Sequence, residues 1–266
     1  MLLGIAMTPR MSWCLAVAIA CLAAGCGSRS DARAKVSPGR DAAPVATAER
    51  DAGPADAGPG LARHMAEHLT RVARLQAALV HGQLEVVRDE ARWVVEHPEH
   101  AALPDAAAAI ARLRAAAEQV VAAPDLPAAA AATAQLGAAC ASCHDERGAI
   151  VAFAWTELPA DEPALARQMQ RHQWAAARLW EGLVAPADEL WRSGADTLAT
   201  LRLDVGALAT GADGPAVTAA LDRLRTLAAQ AKTTADQPGR VELYRELLTT
   251  CVGCHAAVRP AARPMP

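Results

Sequence analysis

From residue 61 onward, apolar side chains recur every three or four positions, which is the spacing of an amphipathic α-helix. The first such segment, 61–80, has its apolar stripe at Leu61, Met65, Leu69, Val72, Leu75 and Leu79. Three more segments follow: about 84–96, which ends before Pro98; one that Pro104 opens and that runs to about 121; and one that Pro127 opens and that runs into Cys140. The pattern therefore predicts four helices, and no run of β-branched residues predicts a strand.

The same pattern returns in the second part of the chain. LARHMAEH at 61–68 matches LARQMQRH at 165–172, a shift of 104 residues, and IARLRAAAEQ at 110–119 matches LDRLRTLAAQ at 221–230, a shift of 111. We place the seven additional residues in the GALATGADGP loop of the second copy, whose helices are predicted near 163–184, 187–203, 215–232 and 239–256. The sequence therefore predicts an all-α protein of two tandem four-helix bundles, at 61–155 and 161–260.

The first sixty residues have a different character. Arg10 precedes an apolar run that is too short to span a bilayer and has the layout of a secretory signal peptide. The run closes on LAAGCGS, which resembles a lipoprotein signal in which Cys26 is acylated; plain cleavage near Ala24 is the alternative. Residues 26–60 are rich in Gly, Pro, Ala and charge, which predicts a disordered tether. We therefore expect a signal peptide at 1–25, export to the periplasm and, if Cys26 is acylated, attachment to a membrane.

The composition adds one constraint on the core. Hydrophobic residues make up 53% of the chain but aromatic residues only 3%. Alanine supplies much of this hydrophobic fraction and buries little area per residue, so a core built from alanine alone would be thin. A large, flat cofactor would fill it. The formal net charge of −3 gives no reason to expect nucleic acid as a partner.

Two related pentapeptides lie at the end of the last predicted helix of each copy: CASCH at 140–144 and CVGCH at 251–255. C-x-x-C-H is the attachment signature of c-type haem, in which both thiols bond to the porphyrin and the histidine ligates iron. A thioredoxin-like redox pair, a Cys₄ zinc site formed by both copies and coincidence are the alternatives. The redox pair would normally follow a strand, and the zinc site would leave both histidines unexplained. We therefore predict two haem c groups, attached to Cys140, Cys143, Cys251 and Cys254, with His144 and His255 as iron ligands.

The other three of the seven cysteines are also accounted for. Cys14 and Cys21 leave with the signal peptide, and Cys26 is the predicted lipidation site. No thiol then remains to form a disulfide in an oxidising compartment.

The position of the motifs narrows the kind of haem protein. Only eleven residues follow the second motif, and Met265 among them is too close to reach the opposite face of that haem. Here residues 61–260 resemble the class II cytochromes c, the cytochrome c prime family and its low-spin relatives, with four helices, the haem motif near the end of the last helix and a basic residue soon after the ligand histidine. The resemblance implies one haem per four-helix bundle, and either a methionine of the first helix as sixth iron ligand or an open site. The tandem duplication and the scarcity of aromatic residues depart from that family and put its usual dimer in doubt.

The first helix of each copy carries a Met and a His three residues apart, which lie on one helix face. The candidate sixth ligands are Met65 and Met169, with His68 and His172 as alternatives and ordinary core packing of the methionines as the competing explanation. His64, whose place in the second copy is taken by Gln168, is expected at the surface. His81, His97 and His100 are expected at solvated helix ends and loops.

These observations predict a carrier of single electrons between redox partner proteins rather than an enzyme. The alternative is a protein that binds nitric oxide or carbon monoxide at an open haem. A dihaem peroxidase is disfavoured, because no set of polar catalytic residues stands out beside the motifs. Core packing is the expected role of the tryptophans Trp155, Trp174, Trp180 and Trp191, with an inter-copy contact or an electron path as the alternative.

Overall fold

The computed structural model describes residues 59–98, 103, 105–154, 156–208 and 213–258. The secondary-structure elements of these residues are all helices, which confirms the predicted all-α class. The helices are α1 (Pro59–Val80), α2 (Leu84–Glu96), α3 (Ala107–Val121), α4 (Leu126–Glu146), α5 (Leu165–Val184), α6 (Asp188–Ala199), α7 (Val205–Leu208), α8 (Gly214–Ala231) and α9 (Gln237–Val258). The predicted signal peptide, Cys26, Trp155 and Met265 lie outside the described residues, as does nearly all of the tether.

Local sequence signals explain where α4 begins. The side chain of Asp125 accepts a hydrogen bond from the backbone N–H of Ala128 at 2.8 Å, and Pro127 occupies the first turn, where its missing N–H costs no hydrogen bond. The helix starts one residue before the predicted Pro127. It continues past Cys140 to Glu146, so the whole first pentapeptide is helical.

Helices that are consecutive in the first copy pack on each other: α1 on α2, α2 on α3 and α3 on α4, with α1 also contacting α4. The same order of neighbours holds for α5, α6, α8 and α9. In addition α4 packs against α9 as extensively as against α3, and it also contacts α5. The two copies therefore belong to one compact unit, and their division into bundles at 61–155 and 161–260 stays a prediction.

Several backbone contacts of the first copy recur in the second at the offsets found in the sequence. The hydrogen bond from Gln83 N to Ala78 O corresponds to that from Ala187 N to Gly182 O. The bond from Ala128 N to Asp125 Oδ1 corresponds to that from Gly239 N to Asp236 Oδ1. The bond from the Arg114 side chain to His97 O corresponds to that from the Arg225 side chain to Leu201 O. The last pair spans the change of offset from 104 to 111 residues. The additional residues therefore lie between Leu201 and Arg225, where the structure has the short helix α7 before α8.

The two copies fill their interiors differently. In α3 and α4 most buried side chains are alanines, whereas the second copy buries Trp180, Trp191 and several leucines. Core packing, the expected role of the tryptophans, is confirmed for Trp180 and Trp191, which are 4% and 0% exposed. Of the predicted α1 stripe, Leu69 is 38% exposed and does not join the core.

The helix α4 is the one described helix that is long and apolar enough to cross a membrane. Eight of its residues are buried, and it packs against α3, α5 and α9. Core helices of globular proteins have the same length and composition, so this property alone does not indicate a membrane span.

Glycines allow the closest helix contacts. A Cβ atom at Gly194 of α6 would lie 2.6 Å from the carbonyl oxygen of Ala175 in α5, and one at Gly182 would lie 2.4 Å from the backbone nitrogen of Trp191. At Gly137 of α4, a Cβ would lie 2.7 Å from the Trp180 ring. The α5–α6 pair and the contact between copies thus depend on residues without side chains.

We expect Gly194→Ala to lower the free energy of unfolding by about 1–3 kcal/mol, because the added methyl group meets backbone atoms that cannot move aside. Chemical denaturation followed by circular dichroism measures the change. The control is Gly253→Ala in α9, where nothing lies within 4 Å of the added atom and helix propensity favours alanine by up to about 1 kcal/mol. Equal stability of Gly194→Ala and the wild type would contradict the close contact.

Candidate functional site

The first pentapeptide occupies the last turns of α4. Cys140 and Cys143 are three residues apart in this helix and lie on the same face, and His144 follows them directly. The His144 Nδ1 lies 2.7 Å from the carbonyl oxygen of Val184 at the end of α5. Since a carbonyl only accepts hydrogen bonds, Nδ1 carries the proton in this contact, and Nε2 is the ring nitrogen able to ligate a metal.

The second pentapeptide lies near the end of α9 and faces a histidine of α5. The Sγ of Cys251 is 3.8 Å from Nε2 of His172. Both residues line a small cavity of about 20 Å³, whose other walls are Cys254, Leu203, Ala220, Leu221, Leu224 and Thr250. Met169, one turn earlier on α5, is half-buried and does not line this cavity. The structure thus brings the alternative ligand His172, rather than Met169, to the second motif.

The surroundings of the thiols bear on their chemistry. Burial raises the pKa of both Cys140 and Cys251 to about 12, and the neighbouring cysteine of each motif adds to the shift. Burial also raises the pKa of Cys254. A thioredoxin-like pair needs a nucleophilic cysteine with a lowered pKa, so these thiols are poorly suited to disulfide exchange.

His172 is held in its neutral form. Burial, followed by the nearby His255, lowers its pKa to about 4. Its Nδ1 is also buried without a hydrogen-bond partner. Neutral imidazole is the form that ligates metals, so His172 is available for this role at neutral pH.

The equivalent residue of the first copy, His68, has different surroundings. Its ring centroid lies 4.6 Å from that of His64, 5.6 Å from that of His97 and 5.4 Å from that of Trp93. The surface position expected for His64 is wrong, because the side chain is 7% exposed. The reason is tertiary: His97, directly after α2, stacks on Trp93 at 3.9 Å and closes over His64. The spacing of four between His64 and His68 was the one sequence signal for this cluster.

The remaining alternative, a zinc site made by cysteines of both copies, has no geometric support. Among the described residues, the one group of three or more metal-binding side chains with neighbouring ligand atoms is His64, His68 and His97. The four described cysteines form no such group.

A covalently attached haem is the group that the paired motifs imply, and the residues present fit it in three respects. Each motif offers two thiols on one helix face, His144 presents Nε2 as a ligand nitrogen, and the wall beside Cys251 is apolar. The cavity, of about 20 Å³, is far smaller than the roughly 300–1,000 Å³ typical of ligand pockets. A porphyrin beside Cys251 therefore requires the surrounding helices to lie further apart.

Comparison with protein-family models, curated proteins and solved structures found no match. The resemblance to class II cytochromes c therefore rests on the motifs and their positions and stays a prediction.

We expect Cys251 of the folded, unmodified chain to react with iodoacetamide at pH 8 at least about 100-fold more slowly than in guanidinium chloride, because a thiol with a pKa near 12 is almost fully protonated. Mass spectrometry of tryptic peptides gives the rate for each cysteine. The denatured chain is the control for intrinsic reactivity. Labelling of Cys251 at the same rate in both states would mean that the thiol is not buried as described.

Proposed function

We propose that this protein is a dihaem c-type cytochrome that carries single electrons, built as two tandem four-helix bundles with one haem near the end of α4 and one near the end of α9. The observation that carries the proposal is the recurrence of C-x-x-C-H on the last turns of two helices that pack against each other. The recurring backbone contacts support the duplication that underlies it.

Each motif would hold its haem with the same set of residues. Cys140 and Cys143 would form the thioether links of the first and Cys251 and Cys254 those of the second. The iron ligands would be His144 and His255. The hydrogen bond from His144 Nδ1–H to Val184 O would fix the orientation of the ring and increase the basicity of Nε2. The bound haem supplies a reversible one-electron couple.

The sixth ligand of the second haem is best assigned to His172. Its Nε2 already faces Cys251, it is neutral at physiological pH, and its side chain lines the cavity beside the motif. A histidine in this position would leave the iron no open coordination site, which favours electron transfer over binding of a small molecule. For the first haem, Met65 and its alternative His68 remain the predicted ligands.

The cellular setting follows from the N-terminal sequence. An exported chain, acylated at Cys26 and followed by a flexible tether that ends before α1, would hold the bundles close to a membrane while leaving them free to meet redox partners in the periplasm. Such a protein transfers electrons between partners and is not itself an enzyme.

Haem attachment is tested by mass. Produced with a cytochrome c maturation system, the wild type should carry two covalent haems, and Cys251→Ala/Cys254→Ala should carry one, because each pair of thiols holds one group. Intact-protein mass spectrometry and haem absorbance under denaturing conditions count them. His81→Gln, a change at an exposed histidine in the first copy, is the control and should keep both. A wild type without covalent haem would overturn the proposal.

The sixth ligand is tested by carbon monoxide. We expect the reduced His172→Ala variant to bind one equivalent of carbon monoxide that the wild type does not bind, because removal of the imidazole opens one iron. The matched control is Met169→Leu, on the same helix three residues earlier, which should leave the absorption spectrum unchanged. The reverse result, an open site in Met169→Leu alone, would restore methionine as the ligand.

A further inference from the structure

Three histidines of the first copy, none of which belongs to a cysteine motif, meet at one end of α1 and α2. His64 and His68 lie four residues apart on one face of α1, and His97 lies directly after the last residue of α2. Their ligand nitrogens all lie within 4.8 Å of one another. We propose that this histidine triad (His64, His68 and His97) binds a divalent transition-metal ion such as Zn²⁺ or Cu²⁺.

The donor set suits such an ion. Imidazole nitrogen is a preferred ligand of zinc and copper, with bonds of about 2.0–2.1 Å to zinc, so the nitrogens of a tetrahedral site lie roughly 3.4 Å apart. The triad reaches that spacing by side-chain movements of about 1 Å. The oxygen Oε2 of Glu67 lies 3.9 Å from Nε2 of His97 and supplies a carboxylate beside that ring.

Stacking holds one ring of the triad in place, and a groove connects the triad to solvent. Trp93 stacks on the His97 ring at 3.9 Å with an interplanar angle of 21°, and the Arg71 guanidinium lies 4.9 Å from the Trp93 ring centroid. A solvent-open groove beside the triad, lined by Glu67, Thr70, Arg71, Arg74, Trp93 and His97, provides a path by which an ion enters. One histidine is thus held by stacking, while another, His64, is buried.

The second copy shows that the fold does not require these histidines. The positions equivalent to His64 and His97 hold Gln168 and Leu201. Gln168 donates hydrogen bonds to Asp161 Oδ1 at 2.8 Å and to Glu162 O at 2.5 Å, and Leu201 is buried in the core. The same place in the helical framework is therefore stabilised without imidazoles, so the helical packing does not require the triad.

The triad does not depend on the proposed haem function, because it includes none of the motif cysteines or histidines. The triad does affect the choice of sixth ligand for the first haem. Since His68 belongs to the triad, Met65 is the side chain of α1 left for the sixth position of the first haem.

The test is zinc binding by the full-length, matured protein after treatment with a chelator and dialysis. Titration with Zn²⁺ against a chromogenic chelator should show one equivalent bound by the wild type. The double variant His64→Gln/His97→Leu, which introduces the residues of the second copy, should bind at least about 100-fold more weakly. The control His81→Gln removes an exposed histidine of the same copy and should bind as the wild type does. Equal affinity in the double variant, or no zinc bound by the wild type, would overturn the proposal.

A measurement on the wild type alone covers the case in which the double variant does not fold. Diethyl pyrocarbonate modifies accessible histidines, and mass spectrometry locates the product. We expect Zn²⁺ to slow the modification of His68 and His97 while His81 reacts at an unchanged rate. Unchanged modification rates of His68 and His97 in the presence of zinc would count against the site.

Discussion

The packing of α4 against α9 is the interaction on which the rest of the molecule depends. Each of these helices is the last of its copy, and each carries a C-x-x-C-H motif on its final turns. Other contacts also join the two copies. Gly137 allows α4 to lie close to Trp180 of α5, and His144 of α4 contacts Val184 of α5. Gln76 of α1 donates a hydrogen bond to the Tyr244 hydroxyl of α9 at 2.9 Å. The two copies thus form one compact unit, in which the motif histidine His144 of the first copy is oriented by a carbonyl of the second.

The two copies share a framework but not their interiors. Buried alanines in α3 and α4 allow those helices to approach closely and provide little apolar area, whereas Trp191 of α6 fills the second copy and donates its indole N–H to Ala231 O at 2.8 Å. The histidines at equivalent positions of the first helix in each copy also have different surroundings. His172 faces a cysteine thiol across an apolar cavity, and His68 lies among other rings beside α2. Equivalent positions in the repeat therefore have different surroundings.

Most of the helical framework could be predicted from sequence, because it depends on local signals. The apolar spacing, Pro127 and the offset between the copies placed most helix ends within a few residues of their observed bounds, although α4 continues beyond Cys140 to Glu146. The short helix α7 and the start of α8 lie where the additional residues were expected. The surroundings of the site could not be predicted in the same way. Met169 and His172 share a helix face, so only the approach of α9 shows which of them meets Cys251. The burial of His64 depends on how α2 packs on α1, which no pattern within α1 contains.

The central claim is that both irons of a dihaem protein are fully coordinated by side chains and therefore exchange electrons rather than bind small molecules. The most direct measurement is the absorption spectrum of the matured wild type, oxidised and reduced, before and after carbon monoxide is added to the reduced form. The account predicts low-spin spectra for both haems and no change with the gas. A high-spin spectrum that shifts when carbon monoxide is added would contradict it and identify a gas-binding protein instead.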